Sequence, residues 1–280
     1  MNTDKIISFI FRIISYLIFF SIVLIIFFII FDGIKYFSIN FFTEFPKNMM
    51  TSGGIFPAII GTIYLLFVTL IISIPLGILT GIFLSEYSNN NIGIFLDTAI
   101  TSLSGVPSIV FGLFGLSLFS IKLGLKTSLI SGSLTLSIMA LPIISSSTKE
   151  VFNSIPNTLR ESAYALGAKK TEVIYKILLP SAKSRLITII LISIGRVMGE
   201  TAPVLLTAAV FYSTHMPKSI KDPIMTLPTH IYNIAMAYGE DAQWMAKGSA
   251  SFLMLLILFI YLLAFKIRRN YNDNGYNDKK

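Results

Sequence analysis

The chain has 280 residues, 54% of them hydrophobic and only 13% charged, with a mean hydropathy of +0.77. Soluble domains carry about 25% charged residues, so this composition excludes an ordinary soluble protein and points to an all-α integral membrane protein. Cysteine is absent, which excludes disulfides, thiol catalysis and cysteine–metal sites. The net charge of +8 lies in loops and tail, where topological bias rather than nucleic-acid binding accounts for it.

Six stretches approach the roughly 20 apolar residues that a helix needs to cross a bilayer: 13–30, 58–85, 99–119, 128–144, 186–211 and 249–265. The first is longer than a signal-peptide apolar region and no A-x-A-like site follows it, so it is expected to stay as an anchor. With the N-terminus inside, fourteen Lys and Arg lie on the inner side and seven outside, and Arg196 is left within a span. That bias places both termini in the cytoplasm. The expected divisions are an anchor helix and first outer loop (1–57), a core (58–267) with an ordered cytoplasmic loop at about 150–183, and a polar tail (268–280), disordered from Asn270.

Gly53-Gly54 reads as a turn before the second span. Pro75, Gly77, Gly105, Pro107, Gly112, Gly115, Gly132 and Pro142 punctuate the spans that follow. Small residues allow close helix approach and prolines make kinks. Such a pattern serves either bundle packing or helices that bend during gating. Gly105 and Pro107 in the third span, with Gly199 and Pro203 in the fifth, are the hinge candidates.

The loop between the fourth and fifth spans is polar and helix-forming. Thr158-Leu159-Arg160-Glu161 fits a capping box. A helix is expected from Leu159 to about Leu166, ended by a left-handed turn at Gly167. A second, Thr171 to Leu179, is expected to stop before Pro180. Leu159, Ala163, Leu166 and Gly167 share one narrow face. By spacing alone that face suits either a groove in another protein or an anionic lipid surface, aided by Lys169, Lys170 and Lys176.

The fifth span contains Gly195-Arg196-Val197-Met198-Gly199-Glu200-Thr201-Ala202-Pro203. Charge inside a span is costly and marks a functional candidate. Arg196 and Glu200 are four apart and can pair, and Pro203 is expected to bend the helix beside Glu200. The pair is either a neutralised structural contact or the lining of an anion path. In the second reading Arg196 attracts an oxyanion. An ionised Glu200 accepts a hydrogen bond from protonated phosphate but not from sulfate.

Glu161-Ser162-Ala163, followed by Gly167 and then by Ile177-Leu178-Leu179-Pro180, resembles the EAA loop by which ABC-importer permeases dock on their ATPase; Ser162 replaces the usual first alanine. The run from Ser104-Gly105-Val106-Pro107-Ser108 to Gly115, the Gly195–Pro203 segment with Leu205-Leu206-Thr207-Ala208, and Asp222-Pro223-Ile224-Met225-Thr226-Leu227-Pro228 are similar to the A-type permease family of bacterial phosphate ABC importers. A glycine expected near position 184 is replaced by Ser184-Arg185.

The resemblance implies a six-helix type I permease fold and no catalysis by this chain. It implies a heterodimer with a second related permease, two ATPase subunits that use ATP, and an extracytoplasmic phosphate-binding protein. Inorganic phosphate is the implied cargo. Arg196, Glu200 and Thr201 are the implied pathway residues, and Glu161, Ala163, Leu166, Gly167, Ile177 and Pro180 the ATPase-coupling residues. Competing readings are a permease for another oxyanion such as molybdate or sulfate, an ion-coupled transporter or channel, and a membrane-embedded enzyme.

No Walker A motif occurs. His215, His230, Glu240 and Asp241 in the outer loop read as solvated residues rather than a metal site. Trp244, Tyr238 and Tyr232 read as interfacial anchors.

Overall fold

The computed structural model describes residues 3–88, 91–237 and 240–277. The order is α1 (Thr3–Ile34), α2 (Ile39–Thr43), a two-stranded hairpin of β1 (Pro46–Lys47) and β2 (Ser52–Gly53), α3 (Phe56–Glu86), α4 (Asn91–Ser104), α5 (Ser108–Gly115), α6 (Leu129–Asn153), α7 (Asn157–Ala165), α8 (Lys170–Glu172), α9 (Leu179–Gly199), α10 (Ala202–Thr207), α11 (Leu227–Ala237) and α12 (Gln243–Asn277). Among the described residues five helices are long and apolar enough to cross a membrane, six when the bent α4–α5 pair counts as one span.

The centre of the bundle is the contact of α3 with α6, the most extensive pairing of elements. Lipid tails are as apolar as leucine, so helices in a bilayer associate through close packing and interhelical hydrogen bonds. The interface is built for both. A Cβ added at Gly81 would lie 2.5 Å from Thr148 Cβ and 2.6 Å from the Ser145 carbonyl oxygen, so only glycine fits. Ser137 Oγ donates to the Thr69 carbonyl oxygen across the pair at 3.1 Å. Leu65, Leu136, Met139 and Ile144 fill the apolar core beside it, against Phe111, Val197 and Val204.

The N-terminal end of α6 is buried, and its backbone donors need partners. Ser128 Oγ accepts from the Ser131 N–H. The Leu129 and Ile130 N–H groups donate to the carbonyl oxygens of Asp222 and Ile220. The segment after α10 is therefore pinned over α6, reinforced by an isolated parallel bridge between Ala209 and Ile224. At the same end, Phe41, Met50, Ile55, Met225, Ile234 and Met245 form a second core that joins α2, the hairpin and α11 to α12. Gly53, at φ +89°, supplies the turn expected before the second span.

Several expectations are corrected. The third span is not a continuous helix over 99–119: α4 and α5 meet at 107°. Pro107 has no N–H to donate and disfavours helical geometry at Val106. The fifth span does not run from 186 to 211. One helix extends from Lys170 to Gly199, so the second loop helix does not stop before Pro180. A π-helical turn over Val173–Leu178 precedes that proline and leaves room for its ring. Beyond Gly199 the chain breaks and restarts as α10.

The Thr158–Glu161 capping box does not form. α7 begins two residues earlier, at Asn157, with Pro156 at the N-cap and no side-chain cap bond. Glu172 instead accepts from the Lys169 N–H at 3.0 Å. The tail expected to be disordered from Asn270 continues α12 to Asn277, because extending an existing helix needs no new nucleus; residues 278–280 lie outside the described residues. Trp244 is not an exposed anchor: its indole N–H donates to the Thr51 carbonyl oxygen at 3.3 Å and its ring packs near Tyr36 and Phe41. Tyr232 is exposed, and Tyr238 lies outside the described residues.

Gly81→Leu is expected to push α3 off α6 and destabilise the protein by about 1–3 kcal/mol. Thermal unfolding of the purified chain in detergent checks this, and an unchanged midpoint would contradict the close contact.

Candidate functional site

Two broken helices meet where the fifth span ends. α9 stops at Gly199, Glu200 is extended (φ −73°, ψ 125°), and α10 starts at Ala202 with Pro203 in its first turn. The expected bend beside Glu200 is thus a full interruption, with Thr201 at the N-cap position of α10. The other break, at Gly105–Pro107, starts α5 beside it. A Cβ at Gly112 would come within 2.9 Å of Pro203 Cα, so α5 and α10 lie backbone to backbone. All four hinge candidates, Gly105, Pro107, Gly199 and Pro203, fall at these breaks or flank them.

The charged pair lies on this junction. Arg196 Nε is 4.0 Å from Glu200 Oε1, and the two side chains are 53% and 16% exposed. Ser108, the first residue of α5, lies near enough to Glu200 to interact with it electrostatically, which places the start of α5 beside the α9 break. Arg196 makes no close hydrogen bond among the described residues, and about half of its side chain is exposed. Gly105, Pro107 and Ile109 are exposed on the same side of the break. The backbone N–H groups of the first α5 turn have no partner within the helix and add a partial positive charge there. An exposed guanidinium among the spans cannot rest against hydrocarbon at low cost, so this face requires either water or another protein. The motif alone does not distinguish Ser108; its place beside Glu200 follows from α5 starting at that residue.

A second site lies at the other end of the bundle. Gly167 adopts φ +83° and ends the α7 turn as expected. The face expected from Leu159, Ala163, Leu166 and Gly167 is divided. Ala163 is buried against Phe152, Val173, Ile174 and Leu178 of its own chain, because its small side chain lets α7 fold back on the start of the fifth span. Leu166 is 89% exposed, and Leu159, Tyr164 and Tyr175 are exposed with it. Glu161 and Pro180 are exposed and Ile177 is half-buried.

The loop is tied to the bundle by a contact between residues 74 apart in sequence. Arg160 Nη2 meets Glu86 Oε1 at 2.7 Å, with both side chains mostly buried (13% and 7% exposed). Arg160 also donates to the carbonyl oxygens of Phe152 and Ile155 at 2.9 Å each. Lys170 donates to the Glu86 carbonyl oxygen and lies over the Tyr87 ring, 4.2 Å from its centroid. The C-terminal end of α3 and the loop helix therefore share one network. The outer-loop histidines are far from equivalent: His215 is exposed and bonded to Thr214, whereas His230 is buried in α11. Among the described residues no three His, Asp or Glu come together as metal ligands.

A five-to-six-span bundle with broken inner helices, a charged pair at the break and a helical loop anchored below defines a multi-pass permease subunit of the cell membrane. The chain belongs to the family of binding-protein-dependent transport system inner membrane components, which matches residues 73–273. It is 34% identical to a probable ABC transporter permease, YqgI, of Bacillus subtilis over 85% of each chain. It is 33% identical to the phosphate transport system permease PstA of Haemophilus influenzae, covering 84% of this chain and 82% of that one. It is 31% identical to a probable PstA of Methanocaldococcus jannaschii, covering 78% and 77%. The fold matches a chain of the MetNI methionine ABC transporter in an inward-facing conformation (TM-score 0.60, 18% identity, 78% and 94% covered). It also matches a chain of a bacterial alginate ABC importer (TM-score 0.60, 16% identity, 76% and 78% covered). The fold is that of a type I importer permease.

Arg160→Ala leaves Glu86 buried without its partner, a change that costs about 3–5 kcal/mol for buried pairs. A lower unfolding midpoint together with faster proteolytic nicking of the loop is expected. Arg160→Met with Glu86→Gln should recover part of the loss, and wild-type behaviour of the single variant would remove the network from the account.

Proposed function

We propose that the chain is the non-catalytic permease subunit of an ATP-driven importer and forms half of an inward pathway for inorganic phosphate. The observation that carries this reading is Arg196: a half-exposed guanidinium within a spanning helix, beside two helix breaks. A second, related permease covering that face encloses a path lined by charge rather than lipid. Relatives named as phosphate permeases support the choice of cargo.

Arg196 supplies a fork of donors for the anion. Glu200 limits how tightly the anion is held and accepts from a protonated phosphate oxygen, which sulfate lacks near neutral pH. Thr201 stands at the α10 N-cap, where a hydroxyl reaches the same space. Breaks at Gly105–Pro107 and Gly199–Pro203 are the positions where the path opens and closes.

At the far end the exposed Leu159, Tyr164, Leu166 and Glu161 surface meets one of two ATPase subunits, which use the ATP. Gly167 and Pro180 flank that surface, and Ile177 and the buried Ala163 hold its shape from beneath. Both termini lie in the cytoplasm on this reading, and an extracytoplasmic phosphate-binding protein delivers the anion from the opposite side. The chain itself holds no cofactor.

Vesicles carrying the complete transporter should take up labelled phosphate only with ATP on the ATPase side, and excess sulfate should not compete. Arg196→Ala should lower uptake at least about tenfold while the protein remains in the membrane and ATP is still hydrolysed. Full uptake by that variant would overturn the role of Arg196. Competition by sulfate or molybdate would keep the importer and change its cargo.

A further inference from the structure

A polar cleft of about 530 Å³ opens at the membrane face that carries α7, between the end of α6, the start of the fifth span and the end of α12. Arg185 and Arg268 enter it from different helices, joined by Ser147, Ser154, Ser184 and Thr188. Among the described residues neither arginine is paired with a carboxylate. Arg185 Nη1 donates to Ser154 Oγ, which leaves most of its donors unused. Arg268 makes no hydrogen bond or ion pair with any described residue. The Ser147 and Ser184 hydroxyls likewise have no partner among the described residues. One carboxylate, Glu150, lines the wall, so the cleft keeps a net positive charge.

We infer that this cleft binds a phosphate group at the cytoplasmic membrane interface. Two guanidinium forks match tetrahedral oxyanion geometry, and the free hydroxyls add neutral donors. The volume exceeds that of a bare anion and admits a headgroup. Basic clefts between helices at this level suit anionic lipid headgroups. Free phosphate offers the same chemistry from the aqueous side. The site is separate from the candidate pathway: Arg185 and Arg196 are eleven residues apart on one helix, about 16 Å along its axis. It does not depend on which anion is transported.

The full-length chain in phosphatidylcholine nanodiscs is unfolded thermally under two titrations, phosphatidylglycerol in the disc and inorganic phosphate in the buffer. The phosphate arm is run in an Arg196→Ala background, so that the pathway arginine does not report. A saturable rise in the midpoint with either probe is expected. A rise with phosphatidylglycerol assigns the site to lipid, and a rise with phosphate assigns it to the free anion. Arg185→Gln and Arg268→Gln should each weaken the apparent affinity by at least about tenfold, and Glu150→Gln should strengthen it. If Arg185→Gln does not fold, the opposite responses of the other two variants still decide the matter. No saturable response to either probe, or responses unaltered by Arg268→Gln and Glu150→Gln, would overturn the site.

Discussion

The close approach of α3 to α6, where glycines of α3 sit against Ile144 and Thr148 of α6, is the constraint on which the rest depends. In hydrocarbon, apolar surface gains little by meeting other apolar surface, so the bundle is held by close approach at Gly77 and Gly81 and by Ser137 Oγ, which reaches the Thr69 carbonyl oxygen across the seam, while the Thr69, Ser73, Ser133 and Thr148 hydroxyls have no partner among the described residues. Thr69, Ser73, Ser133, Ser137 and Thr148 are all buried there. That seam fixes α6 as the central post. The post positions its own capped end beneath the segment 208–226, and its other end beneath the loop helix. Both candidate sites are thereby held relative to one another by a single rigid pair.

Against that post, the two broken elements α4–α5 and α9–α10 are the parts free to be specialised. Each break removes backbone bonds that a continuous helix would make, and each is tolerated because neighbouring protein lies against it, with Gly112 of α5 packed on Pro203 of α10. The polar groups released by the breaks are gathered on one face with Arg196. A helix break in a membrane protein is acceptable only where protein or water meets it, and here both breaks meet at the same place.

Hydropathy located the spans because burial in lipid demands long apolar runs, and proline and glycine located the breaks. The size of each break was not legible. Pro107 and Pro203 signal a bend, but 107° in one case and a full interruption in the other depend on what packs alongside. Pro180 pointed the wrong way, since a wide π turn before it lets the helix continue. The Thr158 cap failed for a local reason: Pro156 takes the N-cap position and starts the helix two residues early. The Arg160–Glu86 pair joins residues 74 apart, and no local rule reaches that far. Ala163 was recognisable as a small residue needed for close approach; its neighbour is its own chain rather than another.

The exposed Arg196 also bears on how cells make this protein. A charge at a helix centre raises the insertion free energy by about 2.5–3.5 kcal/mol on translocon scales; Arg196 lies in the last turn of α9 and bears part of that cost in every copy whose polar face remains uncovered. A lone subunit is therefore a poorly satisfied guest of the bilayer, open to quality-control proteases until its face is covered. Selection then favours synthesis of this chain in step with whatever covers it, so that stoichiometry in production becomes a requirement written into one side chain.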